Sequence, residues 1–390
     1  MFAVFKNARK MACGAALAIS ALALAACEPV ALNSGPTINP SKPVKVALLV
    51  PRGSTQTGDS VLAQSLENAA RMAIGDLNGV EVDLRVYDTA GTPEVAATAA
   101  DQAIKDGAGI ILGPLYAEAA NAAGLVAAQK GVNVLAFSNN TAIAGGNVFI
   151  LGSTFDNTAR RLTRYSAQQG KPNVLVVAGD NAAGAAGREA VNRAVAGSSA
   201  RVTGAVSYEL SQQGVINAIP TIRDAANSGG ADAVFMTATT AGALPLLTQL
   251  LPEAGVSPEN FQYIGLTRWD IPPQTLELPG VQGAWFALPD PSQSGKFRER
   301  YTATYGAGPH PIGGLAYDGI AAIGALAQQG KSDALTAAAL TQGAGFQGTG
   351  GIFRLRADGT NERGLAVATI EDRKVVVIDP APKSFAGAGF

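Results

Sequence analysis

His310 is the single histidine of this 390-residue chain and the first candidate for acid–base chemistry. It lies between prolines in Gly308-Pro309-His310-Pro311, far in sequence from any candidate nucleophile. The chain has no Gly-x-Ser-x-Gly elbow, and one histidine excludes a histidine-rich metal site. The glycine-rich stretch 184–187 lacks the Lys-Ser/Thr ending of a phosphate loop. We therefore expect no enzymatic activity, no cofactor and no metal.

Cys27 ends a segment that has the features of an exported leader. The first ten residues carry Lys6, Arg9 and Lys10, and an apolar run then extends to Ala26. This run is shorter than a transmembrane helix, which needs about 20 apolar residues, and it has the pattern of a secretory signal peptide. Its last residues and the cysteine, Leu-Ala-Ala-Cys, resemble the lipobox of bacterial lipoproteins, where the cysteine is lipidated. We predict a signal peptide over residues 1–26 and a periplasmic protein anchored through Cys27, the alternative being a buried helix that ends in cysteine.

Removal of this leader changes the cysteine and charge content. Cys13 leaves with it, so a disulfide framework, a cysteine nucleophile and a zinc cluster are all excluded. Of 29 basic residues, three leave, and the remaining 26 face 30 acids for a formal net charge of −4. This balance argues against nucleic acid as a partner, because nucleic-acid binding needs a clustered basic surface. Glu28 after Cys27 does not decide between the two membranes, and we favour the outer one.

Residues 28–43 are rich in Pro, Ser, Asn and Gly and have no periodic apolar face. They predict a flexible tether that, with the lipidated Cys27, spans residues 27–43 and reaches roughly 50 Å when extended. Residues 381–390 are predicted to form a flexible tail. The more than 330 residues between these segments are too many for one hydrophobic core, so two lobes are expected.

Within this body, short apolar runs alternate with longer helical stretches. The first strand is followed by a helix over residues 59–78, with Asp59 or Ser60 as its cap. Another helix starts at Thr92-Pro93-Glu94, which combines a capping residue, a proline at the first helical position and an early acid. Four strand–helix units in a row predict a parallel sheet covered on both faces, and the pattern restarts after residue 153. The predicted strands are Val44–Val50, Glu81–Tyr87, Gly109–Leu112, Val132–Phe137, Val174–Ala178, Val202–Val206, Ala233–Thr237 and Gln262–Gly265.

Several short motifs occur in a fixed order along residues 44–379. Together they resemble the leucine/isoleucine/valine-binding family of type I periplasmic binding proteins. The motifs are Val46–Pro51, Tyr87–Gly91, Gly113–Tyr116, Leu315–Gly319, Phe346–Gly350, Ile352-Phe353 and Asp358-Gly359.

The resemblance implies an α/β fold of two Rossmann-like, doubly wound lobes joined by three crossovers, with a cleft that closes on ligand by hinge motion. The first lobe is then expected over residues 44–152 plus 284–340. The second is expected over residues 153–283 plus 341–380.

In amino-acid-binding members of that family, backbone amides and hydroxyls after the third and fourth strands meet the ligand's carboxylate. Here Glu118 brings an acid into the first of these loops. The second loop, residues 138–141, is polar and suits a carboxylate, although Ser and Asn also favour turns by bonding their own backbone. With the second lobe included, the predicted cleft residues are Tyr116, Ser138, Asn139, Asn140, Thr141, Asn181, Thr267, Arg268 and Trp269.

The second lobe departs from the amino-acid-binding pattern. Ala183 stands where those members tend to carry a tyrosine, and Arg268 stands where an acid pairs the ligand's ammonium, although Asp270 follows it. Thr267-Arg268-Trp269 looks like the segment found in penicillin-binding protein activators, and Arg and Trp are common interface anchors. The alternative is a surface loop in which Trp269 packs on the prolines at 272 or 273.

The predicted lipid anchor and the departures at Ala183 and Arg268 lead to a functional prediction with one alternative. The prediction is a non-enzymatic periplasmic lipoprotein that binds and activates a peptidoglycan synthase, a penicillin-binding protein. The alternative is the substrate-binding component of a branched-chain-type amino-acid ABC transporter, whose partner is the permease. A small polar ligand, an amino acid or a peptidoglycan fragment, fits either function.

Overall fold

The computed structural model describes residues 35–386. The predicted leader, Cys27, residues 28–34 of the predicted tether and residues 387–390 of the predicted tail lie outside this range. The strands are β1 (Val44–Val50), β2 (Val82–Asp88), β3 (Ile110–Leu112), β4 (Asn133–Ala136), β5 (Val148–Ile150), β6 (Asn173–Gly179), β7 (Arg201–Tyr208), β8 (Ala233–Met236), β9 (Gln262–Gly265), β10 (Trp285–Pro289), β11 (Phe346–Gly348), β12 (Gly351–Leu355), β13 (Asn361–Arg363), β14 (Leu365–Glu371) and β15 (Lys374–Asp379).

Helices follow most of the strands, as the alternating pattern predicts. They are α1 (Asp59–Asp76), α2 (Pro93–Lys105), α3 (Ala117–Ala128), α4 (Phe155–Gln168), α5 (Ala182–Ala196), α6 (Gln212–Ser228), α7 (Leu244–Glu253), α8 (Pro291–Tyr305), α9 (Gly314–Ala327) and the short α10 (Ala337–Leu340). The predicted cap Thr92 is confirmed, because its hydroxyl accepts a hydrogen bond from the Val95 N–H. Asp59 is wrong as a cap, because Gly58 occupies that position with φ 94° and Asp59 is the first helical residue.

The first lobe is built on a parallel sheet with the order β2-β1-β3-β4-β5. Strand β1 is buried on both sides, which explains its near-continuous apolar sequence. Leu48 points to the side covered by α1 and α9, whereas Ala47 and Leu49 point to the side covered by α2 and α3. The buried faces of α2 and α3 consist mainly of alanine, which lets both helices lie close to the sheet.

The second lobe contains a seven-stranded sheet with the order β15-β14-β10-β9-β8-β6-β7. Strands β6 to β10 run parallel, and β14 and β15 add antiparallel strands at one edge. Apolar cores lie on both faces, one with α6 and α7 and the other with α4 and α5. The predicted α/β architecture of two doubly wound lobes is confirmed.

Two of the predicted lobe boundaries differ from the structure. Residues Trp285–Pro289 belong to the second sheet, where they pair with β9 and β14, so this crossover follows Pro289 and not residue 283. Phe346 and Phe353, on a small sheet of β11, β12 and β13, pack into the core of the first lobe, so the last crossover comes near residue 364 and not at 340. Apolar periodicity identifies strands but not the sheet each one joins.

Both predicted flexible ends pack against the folded body in their described parts. The Ile38 N–H donates to the Ser332 carbonyl at 2.8 Å, and the Ile38 side chain packs on the first core. Ala381 is buried in the core of the second lobe, and the Arg354 guanidinium of the first lobe lies 4.5 Å from the Phe385 ring centroid. Composition alone does not predict these apolar contacts.

Candidate functional site

The carboxyl ends of the parallel strands in the two lobes present loops in which a ligand is expected to bind. In the first lobe, Tyr116 follows β3 and donates its hydroxyl hydrogen to the Asp59 carboxylate, with O···O distances of 2.7 and 2.9 Å. Asp59 is buried at the start of α1. Burial and this hydrogen bond raise the pKa of Tyr116 to about 12. The pair fixes the loop after β3 against the loop after β1.

Gly113 makes this arrangement possible because the chain turns sharply at the end of β3. Its φ is 94°, and a Cβ there would lie 2.2 Å from the Leu49 carbonyl oxygen. A second close approach occurs at Gly91, where a Cβ would lie 3.1 Å from the Tyr116 ring. The two glycines therefore let Tyr116 settle between the ends of β1, β2 and β3.

Arg52 is the cation of this edge, and acids of the same lobe already pair with it. Its guanidinium lies 2.8 Å from Glu67 and 3.2 Å from Asp88. The hydrogen bond that Arg52 donates to the Glu67 carboxylate is the main reason that the pKa of Arg52 lies above its ordinary value. The charge is thus balanced before any ligand binds.

The loop after β4 carries the predicted carboxylate-binding segment. The buried Ser138 hydroxyl accepts from the Asn140 N–H, and the Asn140 side chain accepts from the Ala142 N–H, capping a 3₁₀ turn at Thr141–Ile143. These are the hydrogen bonds expected if Ser and Asn stabilise the turn by bonding their own backbone. Asn139 is exposed next to them and Thr141 is half-buried. Their role in carboxylate binding stays a prediction.

In the second lobe, two predicted residues stabilise local backbone. Asn181 caps α5, accepting from the Gly184 N–H at 2.7 Å. The Thr267 hydroxyl donates to the Ala238 carbonyl and ties the loop after β9 to the loop after β8. Ala183 is exposed on the first turn of α5. No aromatic side chain takes the place of the expected tyrosine at that position.

Arg268 and Trp269 follow β9, but they point to different environments. The Arg268 guanidinium forms a two-point ion pair with Asp270, with Nε 2.6 Å from Oδ1. Trp269 is 0% exposed and packs into the core with α6 and α7. A Cβ at Gly265 would lie 2.4 Å from the indole, so this glycine leaves the space that the ring fills. The prediction of Trp269 as a surface anchor or cleft contact is therefore wrong.

His310 lies beside the start of α1 and does not form a catalytic pair there. Its backbone N–H donates to the buried Ser65 hydroxyl at 2.9 Å, and its Nδ1 accepts from the Ile312 N–H at 3.4 Å. Burial lowers the pKa of the His310 imidazole, and the nearby Asp59 charge opposes that change. Between residues 35 and 386, no group of three or more His, Cys, Asp or Glu side chains is arranged to hold a metal ion.

A buried polar network lies at the crossovers of the first lobe, and Asn157 of α4 in the second lobe donates to its Asn361 at 2.7 Å. Arg363 donates to the Leu151 carbonyl, with Nε at 3.1 Å, and its Nη1 lies 3.1 Å from the Asp318 carboxylate. Asp318 also accepts from the Thr349 N–H and hydroxyl, at 2.7 and 3.0 Å. Asn361 donates to the carbonyls of Ile150 and Gly152, both at 2.8 Å.

A second cluster surrounds Glu362, whose side chain is 8% exposed. It pairs with Arg160 of α4 in the second lobe. It also pairs with Arg354, which lies on β12, and with Arg356, which follows this strand. Burial raises the pKa of Glu362, but the hydrogen bond from Arg354 and the three positive charges outweigh burial, so this pKa lies below its ordinary value. One carboxylate thus connects both lobes. Asp318 lies within the Leu315–Gly319 motif, and the Asp358-Gly359 motif comes shortly before Asn361, Glu362 and Arg363, but the spacing of the motifs does not indicate these contacts.

None of the helices between residues 35 and 386 is both long and apolar enough to cross a membrane.

Comparison with known proteins agrees with this architecture. A search of curated proteins finds no matching sequence. Solved structures that are similar include a branched-chain amino acid ABC transporter protein from Rhodospirillum rubrum, with 17% identity and a TM-score of 0.72, covering 86% of this chain and 100% of its own. A leucine-binding protein from Thermotoga maritima has 19% identity and a TM-score of 0.57, with coverages of 87% and 98%.

A solute-binding protein of an ABC transporter from Rhodopseudomonas palustris, in complex with 3,4-dihydroxybenzoic acid, has 18% identity and a TM-score of 0.58, with coverages of 87% and 98%. At these identities the likeness concerns the fold. A family model described as periplasmic binding protein matches residues 43–374. Because this match spans most of the chain and the two lobes agree with it, the chain belongs to the periplasmic binding protein family.

Proposed function

We propose that this protein is the solute-binding component of an ABC transporter, and that a small carboxylate-bearing solute binds between its lobes. The observation that carries the proposal is the architecture of two lobes, each built on parallel strands that end in polar loops, in a chain that matches the periplasmic binding protein family. Similar structures named as transporter components, with leucine or an aromatic acid in their names, support this choice. Periplasmic location follows from the family, and anchoring through Cys27 to the outer or inner membrane remains part of the proposal.

The charges at the strand ends bear on the kind of solute. Arg52 is paired with Glu67 and Asp88, and Arg268 is paired with Asp270. Two kinds of neutral donor remain for a carboxylate. They are the exposed Asn139 amide and the first N–H groups of α3, because no side chain caps this helix. A solute with one carboxylate therefore fits better than one with several negative charges.

The prediction of synthase activation rested on the lipid anchor and on the Ala183 and Arg268 departures, with Trp269 as an interface anchor. Trp269 is inside the core, and the Arg268 charge is balanced by Asp270. The predicted anchor, which transport proteins can also carry, and the Ala183 departure are left. We therefore rank transport above synthase activation.

A thermal shift measurement tests the proposal on the chain without its predicted leader. The solutes are the branched-chain amino acids, benzoate-type aromatic acids and small peptidoglycan fragments. A ligand that binds only the folded state at 100 times its dissociation constant adds about 2.7 kcal/mol, which raises the melting temperature by several degrees.

Asn139→Ala is expected to reduce the shift by removing an exposed cleft donor. Asn227→Ala, an exposed change at the far end of α6, is the matched control and should leave the shift intact. No shift with any amino acid or aromatic acid, together with retention of a penicillin-binding protein on the immobilised chain, would instead support synthase activation.

A further inference from the structure

The turn between α1 and β2 contains the single Asn-Gly pair of the 390-residue sequence, Asn78-Gly79. Both residues are exposed, and Gly79 has a left-handed backbone with φ 72°. Apart from its chain neighbours, no atom lies within 4 Å of the position that a Cβ on Gly79 would take. One face of the Gly79 backbone is therefore open to solvent and to the side chain that precedes it.

The backbone N–H of Gly79 is free as well as accessible. Within residues 35–386 it donates no backbone hydrogen bond. The glycines of two Asp-Gly pairs differ in this respect. Gly107 donates to the Ile104 carbonyl and Gly359 to the Arg356 carbonyl, both at 2.9 Å. Exposure and a free N–H thus occur together at Gly79.

The Asn78 carboxamide is held by one long contact. Its Nδ2 lies 3.5 Å from the Asp76 carbonyl oxygen, at the outer limit of a hydrogen bond. The backbone carbonyl of Asn78 accepts from the Gln328 side chain at 3.3 Å, which leaves the Asn78 side chain unrestrained. Rotation of this side chain toward the Gly79 nitrogen therefore costs little.

We propose that Asn78 is a site of spontaneous deamidation in the folded protein, with water as the second reactant. The Gly79 nitrogen loses its proton to solvent base and attacks the side-chain carbonyl carbon of Asn78. A C–N bond closes a five-membered succinimide, the bond to Nδ2 breaks, and that nitrogen takes up a proton and leaves as ammonia. Water then opens the ring at either carbonyl carbon, which gives aspartate or isoaspartate at position 78. The reaction needs no oxidant, reductant or cofactor.

Both products disturb the end of α1. The new carboxylate follows a helix terminus that carries partial negative charge, and the last turn of α1 holds no basic side chain. Asp76 already places a carboxylate there, paired with Arg300 of α8. In isoaspartate the main chain also gains one carbon atom, next to Leu77, which packs closely on Gly324 of α9. We therefore expect the modified protein to be less stable.

The modification does not rest on the proposed transport function. The turn joins the end of α1 to the start of β2, so it lies at the amino-terminal edge of the first sheet. The loops expected to bind solute lie at the opposite edge.

Peptide mapping by mass spectrometry tests the site on the folded full chain. The chain is incubated at mildly alkaline pH in water enriched in heavy oxygen. We expect the peptide containing Asn78 to gain one heavy oxygen atom and to separate into two isomers before any other asparagine peptide changes.

Asn78→Gln should abolish this change, because the longer side chain would have to close a less favourable six-membered ring. Asn227→Gln is the matched control, since Asn227 is also exposed but lies within α6, and it should leave the change at Asn78 intact.

The same incubation in urea separates the contribution of the fold. We expect similar rates at Asn78 in the folded and unfolded chains, because no hydrogen bond protects the Gly79 amide. Slowing of the reaction by about tenfold or more in the folded chain would mean that the fold protects this turn, and it overturns the proposal. An earlier change at another asparagine overturns it too.

Asn78→Asp tests the effect on stability, because it carries the carboxylate of one product. Its melting temperature should lie about 1–3 °C below that of Asn78→Gln. Equal melting temperatures of these two variants overturn the proposed destabilisation by the new charge.

Discussion

Tyr116 and Asp59 show how single residues organise the cleft edge of the first lobe. Tyr116→Phe removes the only described hydrogen-bond donor to the buried Asp59 carboxylate. Leaving a buried acceptor unpaired costs about 1–3 kcal/mol. We expect the free energy of unfolding to fall by this amount, measured by urea denaturation at pH 7.

The matched control is Tyr87→Phe. The Tyr87 hydroxyl also donates to a carboxylate at 2.7 Å, but its acceptor, Asp106, is partly exposed and can bind water instead. We expect a loss of less than about 1 kcal/mol there. Equal losses in the two variants would mean that the burial of Asp59 does not matter.

The residue types predicted where the site residues lie along the strands and loops better than they predicted what surrounds each side chain. The sequence placed Tyr116, Ser138, Asn181 and Thr267 in loops at strand ends, and the structure has them there. It could not indicate that Trp269 turns inward, because that depends on the space above Gly265, a contact within the fold. Hydroxyl and amide side chains that bond their own loops carry the same signal in sequence as ligand donors.

At the scale of elements, the turn after β3 depends on Gly113. Gly113→Ala adds a Cβ 2.2 Å from the Leu49 carbonyl oxygen at a φ of 94°, so the backbone must move. We expect a loss of more than about 2 kcal/mol in unfolding free energy, since steric overlap adds to the about 1–2 kcal/mol of the left-handed conformation.

Gly131→Ala is the control because its φ is 66° and no atom lies within 4 Å of the added Cβ. It should cost only the conformational term, about 1–2 kcal/mol. Urea denaturation of both variants separates the two contributions. If Gly131→Ala is at least as destabilising, close packing at Gly113 has no energetic weight.

Elements with strong periodicity were predictable, and those defined by distant partners were not. Gln262–Gly265 was predicted with its observed limits, because a buried parallel strand is a continuous apolar run between turn signals. Trp285–Pro289 has the same character, yet it was expected in the wrong lobe. Its partners, β9 and β14, lie on either side of it in space but far apart along the chain.

At the scale of the whole molecule, Glu362 links the lobes and makes their connection sensitive to acid. Its pKa in the folded state is below the unfolded value of about 4.3, so the stabilisation is present above pH 4.3 and is lost as pH falls through the folded value. Glu362→Gln removes this contribution at every pH. We expect a lower unfolding free energy at pH 7 and a smaller loss between pH 5 and pH 3, measured by urea denaturation.

Glu67→Gln provides the comparison, because Glu67 also has a lowered pKa but its ion pairs within residues 35–386 are with Arg52 and Arg71 of the first lobe. Its pH dependence should change without an effect on how the lobes are oriented. If Glu362→Gln keeps the full acid sensitivity of the unsubstituted chain, other carboxylates carry it.

Arg160 is the arginine of the Glu362 cluster that comes from the second lobe, so its ion pair connects the two lobes. Arg160→Gln leaves Arg354 and Arg356 to neutralise the carboxylate while cutting the connection between lobes. We expect the lobe equilibrium to shift away from the orientation in the structure, which changes the radius of gyration in small-angle X-ray scattering. A shift worth about 1 kcal/mol would change solute affinity by about fivefold. Affinity rises if the bound state differs from the orientation in the structure and falls if it needs that orientation.

Arg223→Gln, which breaks an exposed pair within α6, is the control and should change neither the radius of gyration nor the solute affinity. Unchanged scattering and affinity for Arg160→Gln would mean that other contacts between the lobes, such as those of Asn157 with Asn361 and Arg363, set the orientation.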